Sequence, residues 1–425
     1  MKYKKSRYNF FVPYKNGETI VFNGFSGSIG KFDEENMRRY ETDTFDEHIM
    51  EKLTDKGIYV SEEFDEVAKI AEDRSDGISD STKKCFRIWT TSACNARCYY
   101  CYEKGIEAIS MDTDTADAVV KYMESALNPG DNLYLEWFGG EPLLNHAIIS
   151  YIMDKVKKIC SYKNCKIFGK MITNGSLVTK EIAEKMKNDW MISFVQITLD
   201  GYGKVYNDVK AYVCPEKWYF EKIVDNIKLL NQTGIQIGIR LNYDTRNYEE
   251  LKELIEYMHN ECKELNGITY YVYPLWSCLN EKERDKFISS TQADHLYVEL
   301  IKLLVDKKMC TLNKALRISY KRNQCMSCSK YSFSVFPNGK LGKCSETFKQ
   351  TIGDVWVGIE DEKIYDFWTQ VDIDDKCKEC KYLPFCQGGC RSSYFTDMPK
   401  CYVNKPVLDE LLYMYVDFIE KYSAN

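Results

Sequence analysis

The sequence lacks several features, and each absence removes a class of protein. No stretch of the 425 residues approaches the roughly 18 consecutive apolar side chains that a membrane-crossing helix needs. The amino-terminal stretch from Met1 to Tyr14 has basic residues but only a short apolar patch, Phe10 to Val12, so it does not read as a secretion signal. Neither sign of charge dominates: 58 basic against 64 acidic side chains leave a net charge of -6, which gives no reason to expect nucleic acid as a partner. Internal repeats and low-complexity tracts are missing, and 44% apolar with 29% charged residues is too ordinary a balance for a disordered chain. The four histidines (His48, His146, His259, His295) are scattered and read as surface or packing residues, so no general base stands out. The expectation is a soluble, unsecreted, cytoplasmic protein of two or three domains with no membrane partner, its oligomeric state open.

Cysteine is the exception. The chain has 18, too many for a casual cytosolic enzyme yet far sparser than a short disulfide scaffold. Eleven fall in tight groups with ligand-like intervals, and Cys85, Cys160, Cys165, Cys214, Cys262, Cys278 and Cys310 stand apart in ordinary sequence. Most of the latter read as buried inert thiols. Cys214 lies in a polar stretch after a strand, near the expected substrate side, and is the one candidate among them for a catalytic or hydrogen-donor role.

Residues 1 to about 80 read as a small separate unit. Apolar segments Tyr8 to Tyr14 and Thr19 to Phe22 flank Lys15, Asn16 and Gly17, a hairpin turn signal. Helical patterns follow at Asp33 to Tyr40 and Phe45 to Asp55, the second stopped by Gly57. Ser61 offers a cap for a third helix, and Glu72 to Lys84 looks like a linker. From Cys85 to about 310 the chain alternates β-rich runs with amphipathic helices, the pattern of a parallel α/β sheet or partial barrel. Six strands are expected: Phe86 to Thr90, Leu133 to Phe138, Lys166 to Thr173, Ser193 to Leu199, Gln236 to Tyr243 and Thr269 to Tyr273, with helices such as Thr113 to Leu127 and Glu216 to Leu230 between them. Residues 320 to 425 hold eight cysteines, short strands around Pro337, Asn338 and Gly339, and a terminal amphipathic helix from Val407 to Tyr422. Their modest apolar content calls for inorganic cross-links.

Cys94, Cys98 and Cys101 sit on one loop directly after the first barrel strand, spaced by three and then two residues, with no fourth cysteine or histidine nearby. Three thiolates on a short loop can bind three irons of a [4Fe-4S] cluster and leave the fourth open, whereas structural zinc wants a fourth protein ligand. The spacing and placement resemble the radical S-adenosylmethionine enzymes. The resemblance implies that the open iron chelates the amine and carboxylate of S-adenosylmethionine, and that its reductive cleavage gives a 5'-deoxyadenosyl radical that abstracts a hydrogen atom. Other strand ends resemble the same family: Gly139, Gly140, Glu141 and Pro142; Thr173, Asn174 and Gly175; Asp200 and Gly201; and Arg240 with Asn242. By that resemblance Gly139, Gly140, Glu141, Pro142, Asn174, Asp200, Arg240 and Asn242 surround the cofactor, with backbone carbonyls and Glu141 accepting from its ammonium group; Tyr100 is expected beside it by adjacency to the cysteines alone. Where many relatives carry an arginine after the aspartate-glycine turn, this chain has Lys210, a point charge with no bidentate fork; its role is left unassigned.

In the second group Cys328 is followed by Gly339 and Cys344, then by Cys377, Cys380, Cys386, Cys390 and Cys401, with Cys325 just upstream. This resembles the SPASM extension of the same family. The family arrangement implies Cys325, Cys328, Cys344 and Cys390 around a first auxiliary [4Fe-4S] cluster and Cys377, Cys380, Cys386 and Cys401 around a second, three clusters in all. Two zinc sites of four cysteines each are the alternative.

The front unit, a hairpin and three short helices, resembles the winged-helix peptide-binding element of peptide-modifying enzymes, which captures a leader peptide by strand addition; a cap that only packs on the enzyme is the plainer alternative. Together these resemblances imply a maturase of ribosomally synthesised precursor peptides, fed by an external one-electron reductant and installing a thioether or carbon-carbon crosslink. An anaerobic sulfatase-maturating, formylglycine-generating enzyme is the second reading. A non-enzymatic iron-sulfur electron carrier or zinc-stabilised scaffold is the third.

Overall fold

The computed structural model describes residues 2–214, 219–275, 290–311, 320–321, 325–396, 401 and 407–423. Cys278 and the first turn expected at Glu216 lie outside them. In the front unit, strands β1 (Tyr3–Lys5), β2 (Asn9–Pro13), β3 (Thr19–Asn23), β4 (Ile29–Phe32) and β5 (Tyr59–Ser61) form two small antiparallel sheets, β1 with β5 and β2-β3-β4. The turn from β2 to β3 is made as expected, with Asn16 and Gly17 at φ 56° and 78°. Asp33 and Asp46 cap helices α1 (Glu34–Thr42) and α2 (Glu47–Asp55) by accepting from Asn36 and Ile49 amides.

Two expectations fail here. Ser61 ends a strand, and the third helix, α3 (Glu66–Ser79), is capped by Asp65, which accepts from the Val67 and Ala68 amides. The supposed linker is the second half of that helix followed directly by the next strand. Its polar composition conceals a stripe of Ile70, Arg74 and Ile78, four residues apart and all buried.

Strands β6 (Lys83–Thr91), β7 (Asn132–Gly139), β8 (Lys166–Thr173), β9 (Ile192–Leu199), β10 (Gln236–Tyr243) and β11 (Ile268–Pro274) pair parallel in chain order. Helices α4 (Thr113–Ala126), α5 (His146–Tyr162), α6 (Lys180–Asn188), α7 (Gly203–Lys210), α8 (Tyr219–Gln232), α9 (Tyr248–Cys262) and α10 (Ser290–Asp306) connect or follow them. This is the expected α/β fold, a sheet rich in parallel strands. Alternation along each strand sends one set outward, such as Leu133, Leu135 and Trp137, all buried under helices. The other set, including Arg87, Glu136 and Lys170, shares the concave face, where register places the three side by side. Among the described residues no helix is long and apolar enough to cross a membrane.

The region after residue 320 is less separate than its composition implied. Strand β12 (Ser332–Val335) pairs parallel with β6, and β13 (Lys340–Gly342), β14 (Thr351–Asp354) and β15 (Gly358–Ile359) extend the same sheet antiparallel. All four residues of β12 are buried, so this region borrows its support from the barrel edge. It also leans on the front unit. The Phe385 ring, between Cys380 and Cys386, lies 5.9 Å from that of Phe10 and 6.0 Å from that of Phe22. A Cβ on Gly24 would stand 2.7 Å from it, which is why glycine is needed there. The terminal helix Leu408–Ser423 closes the front unit from the other side, with Glu420 bonded to Tyr14 at 2.8 Å and paired with Lys31 at 2.6 Å. Because Phe385 is 1% exposed at a three-way contact, Phe385→Ala is expected to cost about 3–5 kcal/mol in urea unfolding.

Candidate active site

The three clustered thiols stand on the loop that leaves β6, and the turn after β7 holds that loop from beneath. The Gly140 amide donates to Thr91 O at 3.0 Å and the Glu141 amide to Ala93 O at 2.9 Å. A Cβ on Gly140 would stand 2.2 Å from the Ala93 carbonyl oxygen, so only glycine permits this approach. Gly140→Ala is therefore expected to push the loop away. Unfolding should show a loss of about 1–3 kcal/mol, and the reconstituted protein should hold less iron than its parent.

Cys94, Cys98 and Cys101 line one cavity together with Ala96, Ile106 and Gly140. Burial pushes the Cys94 thiol up to about 11 and the Cys101 thiol up to about 12, and raises Cys98 as well. A cationic iron centre would reverse that preference by binding the thiolates. Among the described residues no three His, Cys, Asp or Glu side chains are grouped as a metal-ion site. A cubane asks something different, one thiolate per iron around a common cavity, and the donor set here, three soft sulfurs and no fourth protein ligand, fits it.

Beneath the loop the polar strand-end residues bond to one another. Glu141 is fully buried; its carboxylate accepts from the Thr173 hydroxyl at 2.7 Å and from the Asn174 and Leu143 amides at 2.8 and 3.1 Å. Glu141 thereby ties the turns after β7 and β8 together, with Pro142 buried beside it. Asn174 donates to Asn95 on the cysteine loop at 2.8 Å.

Asp200, also fully buried, receives Asn242 at 2.8 Å on one oxygen, and Lys210 at 2.6 Å and Tyr100 at 2.7 Å on the other. Asp200 and Tyr100 are thus bonded to each other, with Tyr100 also lining a cavity on the concave face. Lys210 acquires a role: it neutralises Asp200, while its carbonyl oxygen accepts from the Arg97 amide at 2.8 Å and lies 3.9 Å from the Cys98 sulfur. Arg240 keeps its concave position, its guanidinium 3.8 Å from the Tyr273 ring centre and its Nε donating to Asn242 at 2.8 Å.

A second cavity opens on the concave face, lined by Arg87, Tyr100, Tyr102, Arg240, Asn242 and Glu346, among others. The sequence reading missed the charges around it. Arg87 pairs with Glu136 and donates to Ser345 at 2.7 Å, and Lys170 reaches Glu136 at 2.7 Å. Burial alone would raise the Glu136 carboxyl, but Arg87 and Lys170 hold it below the ordinary carboxylate range. The signal was available: Arg87, Glu136 and Lys170 are charges at the inward parity of three successive strands.

In the second cysteine group Cys328 is 1% exposed, whereas Cys325 and Cys401 are exposed. Burial pushes Cys328 up to about 11 and Cys344 up to about 12, and raises Cys390. Cys377 and Cys380 share a turn, the Cys380 amide donating to Cys377 O at 3.0 Å, and Cys386 ends the short helix Leu383–Cys386. Cys401 lies between stretches outside the described residues. Cys214 is exposed, its neighbour Val213 donating to Asn95 O on the cysteine loop at 2.8 Å.

Residues 89–258 match the Radical SAM superfamily. An uncharacterized protein of Methanocaldococcus jannaschii is 30% identical over 171 residues, 40% of this chain, and the match spans little more than half of that relative, 56%. The cysteine-type anaerobic sulfatase-maturating enzyme of Clostridium novyi is 21% identical over 340 residues, 73% of this chain and 88% of that enzyme. Among solved structures, anSMEcpe with bound AdoMet superposes with a TM-score of 0.63 at 17% identity, covering 80% of this chain and 98% of that one. Streptococcus suis SuiB bound to precursor peptide SuiA gives a TM-score of 0.54 at 15% identity, covering 93% and 97%. At these identities the two structures speak for the fold. With the superfamily match lying across the parallel strands and their cysteine loop, this chain carries a radical SAM domain.

Proposed function

We propose that this chain is a radical SAM enzyme that modifies a ribosomally made precursor peptide, binding its leader through the front unit and crosslinking its core through a thioether or a carbon-carbon bond. Cys94, Cys98 and Cys101 would hold the [4Fe-4S] cluster that cleaves S-adenosylmethionine. When bound, that pair supplies a radical able to take one hydrogen atom from a substrate carbon. The remaining work falls to the protein: the Glu141 and Asp200 networks hold the loop in place, and the concave cavity from Arg87 to Glu346 receives the segment to be modified. Cys325, Cys328, Cys344 and Cys390, and separately Cys377, Cys380, Cys386 and Cys401, would hold two auxiliary clusters that accept the second electron of an oxidative crosslink. An external one-electron donor starts the cycle.

The observation that carries this reading is the front unit, a three-stranded sheet whose outer strand β4 has no further strand beside it among the described residues, packed against the second cysteine group through Phe385. Such an edge accepts an extended peptide by strand addition. The likeness to SuiB, solved with a precursor peptide, extends over 93% of the chain. The match to a sulfatase-maturating enzyme over 73% of the chain favours formylglycine formation as the second reading.

Mass spectrometry separates the two. Candidate precursor peptides encoded near the gene are incubated anaerobically with the reconstituted enzyme. A crosslinked product that has lost two hydrogen atoms, formed only when the leader is present, supports the proposal. Exchange of a cysteine sulfur for a carbonyl oxygen in a sulfatase peptide, with no need of a leader, supports the alternative.

A further inference from the structure

Two arginines are buried behind the second cysteine group, one of them delivered from the front unit. Arg74 of α3 is 2% exposed and Arg391 is 7% exposed. Arg74 donates to Val371 O at 2.8 Å and to the carbonyl of Gln387, between Cys386 and Cys390. Arg391, next to Cys390, donates to the carbonyl of Phe367 and, at 2.6 Å, to Gln370 O, which Arg74 also reaches at 3.4 Å. Both guanidiniums line one cleft with Cys390, Asp372 and Asp374.

Two like charges this close and this deep are costly. Burial draws Arg74 down from the ordinary arginine range and Arg391 repels it further; burial also draws Arg391 down. The sulfur that shares their cleft is that of Cys390, the chain neighbour of Arg391 and three residues after the Gln387 carbonyl that Arg74 holds. The arrangement makes electrostatic sense once the sulfurs carry negative charge.

We propose that Arg74 and Arg391 are the positive counter-charge of an anionic iron-sulfur cluster held by Cys390 with Cys325, Cys328 and Cys344, and that they raise its reduction potential. The inference rests on the auxiliary-cluster reading under Proposed function. A cluster with four thiolates is net negative and becomes more so on reduction, so fixed positive charge nearby favours the reduced form. Because Arg74 belongs to α3, the last helix of the front unit, the front unit takes part in setting that potential.

The test is a reductive titration of the full-length reconstituted protein followed by electron paramagnetic resonance. In Arg74→Gln and Arg391→Gln, one auxiliary midpoint should fall by at least tenfold in the reduction equilibrium, about 59 mV for a one-electron couple, with the radical-domain cluster unmoved. Arg391→Lys, which keeps the charge, should stay within about threefold of the parent, well under that shift. Midpoints unchanged in both glutamine variants, or a lysine variant that shifts as far as glutamine, would overturn the proposal. If the glutamine variants fail to retain iron, Arg391→Lys decides: full iron with the parental midpoint supports the charge account, and lost iron reduces the arginines to structural braces and overturns it. An unsubstituted protein without auxiliary iron would overturn the reading beneath it as well, which the iron count alone reveals.

Discussion

Cys98→Ala will leave the protein folded, about four irons poorer than its parent, and unable to release 5'-deoxyadenosine above background. The loop offers three thiols to one cavity and no fourth protein ligand, so a single loss leaves two donors, too few to retain a cubane. Cys98 is the strictest choice because it sits at the centre of the scaffold: its carbonyl accepts from the Cys101 amide at 3.2 Å, and its sulfur lies 3.9 Å from the Lys210 carbonyl. Cys214→Ala is the matched control. Cys214 is exposed, and its removal should leave iron content and cofactor cleavage at the parental level. Iron analysis and chromatography of the cleavage products read both outcomes. Retained iron with retained cleavage in Cys98→Ala would remove the assignment of this loop.

The second large effect concerns stability. Asp200 and Lys210 are 0% and 3% exposed as side chains and 2.6 Å apart. Breaking such a pair from one side strands a buried charge and is expected to cost about 3–5 kcal/mol. Asp200→Asn removes the carboxylate charge facing the Lys210 ammonium, whose other contacts among the described residues are the Tyr100 hydroxyl at 3.3 Å and the ring faces of Tyr100 and Tyr206. Lys210→Met leaves Asp200 with the Tyr100 and Asn242 donors and should be the milder of the two. The double variant Asp200→Asn with Lys210→Met should cost less than the sum of the singles, because neither charge is then stranded. Urea unfolding of the four proteins gives the coupling directly. Additive losses would show that the pair is not the unit described here.

Much of this arrangement was legible in the residues. Barrel strands announced themselves by apolar runs ending in glycine or polar turns, and β8 and β10 begin and end where the sequence placed them. The cysteine loop was legible because spacing and strand-end placement are local properties. What was not legible was pairing across distance. Ser61 resembles a helix cap until β1 pairs with β5, and β12 resembles part of a free-standing unit until it joins β6. Sequence likewise cannot show that Thr173 and Asn174 bond to the Glu141 carboxylate, or Lys210 and Asn242 to that of Asp200. Arg74 was hidden inside a polar stretch, and only the tertiary fold reveals its role as a buried cation.

These contacts shift weight from single residues to networks. The strand ends around the cysteine loop are cross-braced by polar contacts, the preorganisation that the proposed radical chemistry needs. The paired charges of Arg87, Glu136 and Lys170 extend the same bracing across the concave face.

The most direct measurement is anaerobic reconstitution of the unsubstituted protein, with iron, sulfide and zinc counted and S-adenosylmethionine then added with dithionite. The account predicts about twelve irons, the content of three [4Fe-4S] clusters, no stoichiometric zinc, and release of 5'-deoxyadenosine. Zinc bound in place of iron with no cleavage of S-adenosylmethionine would contradict it.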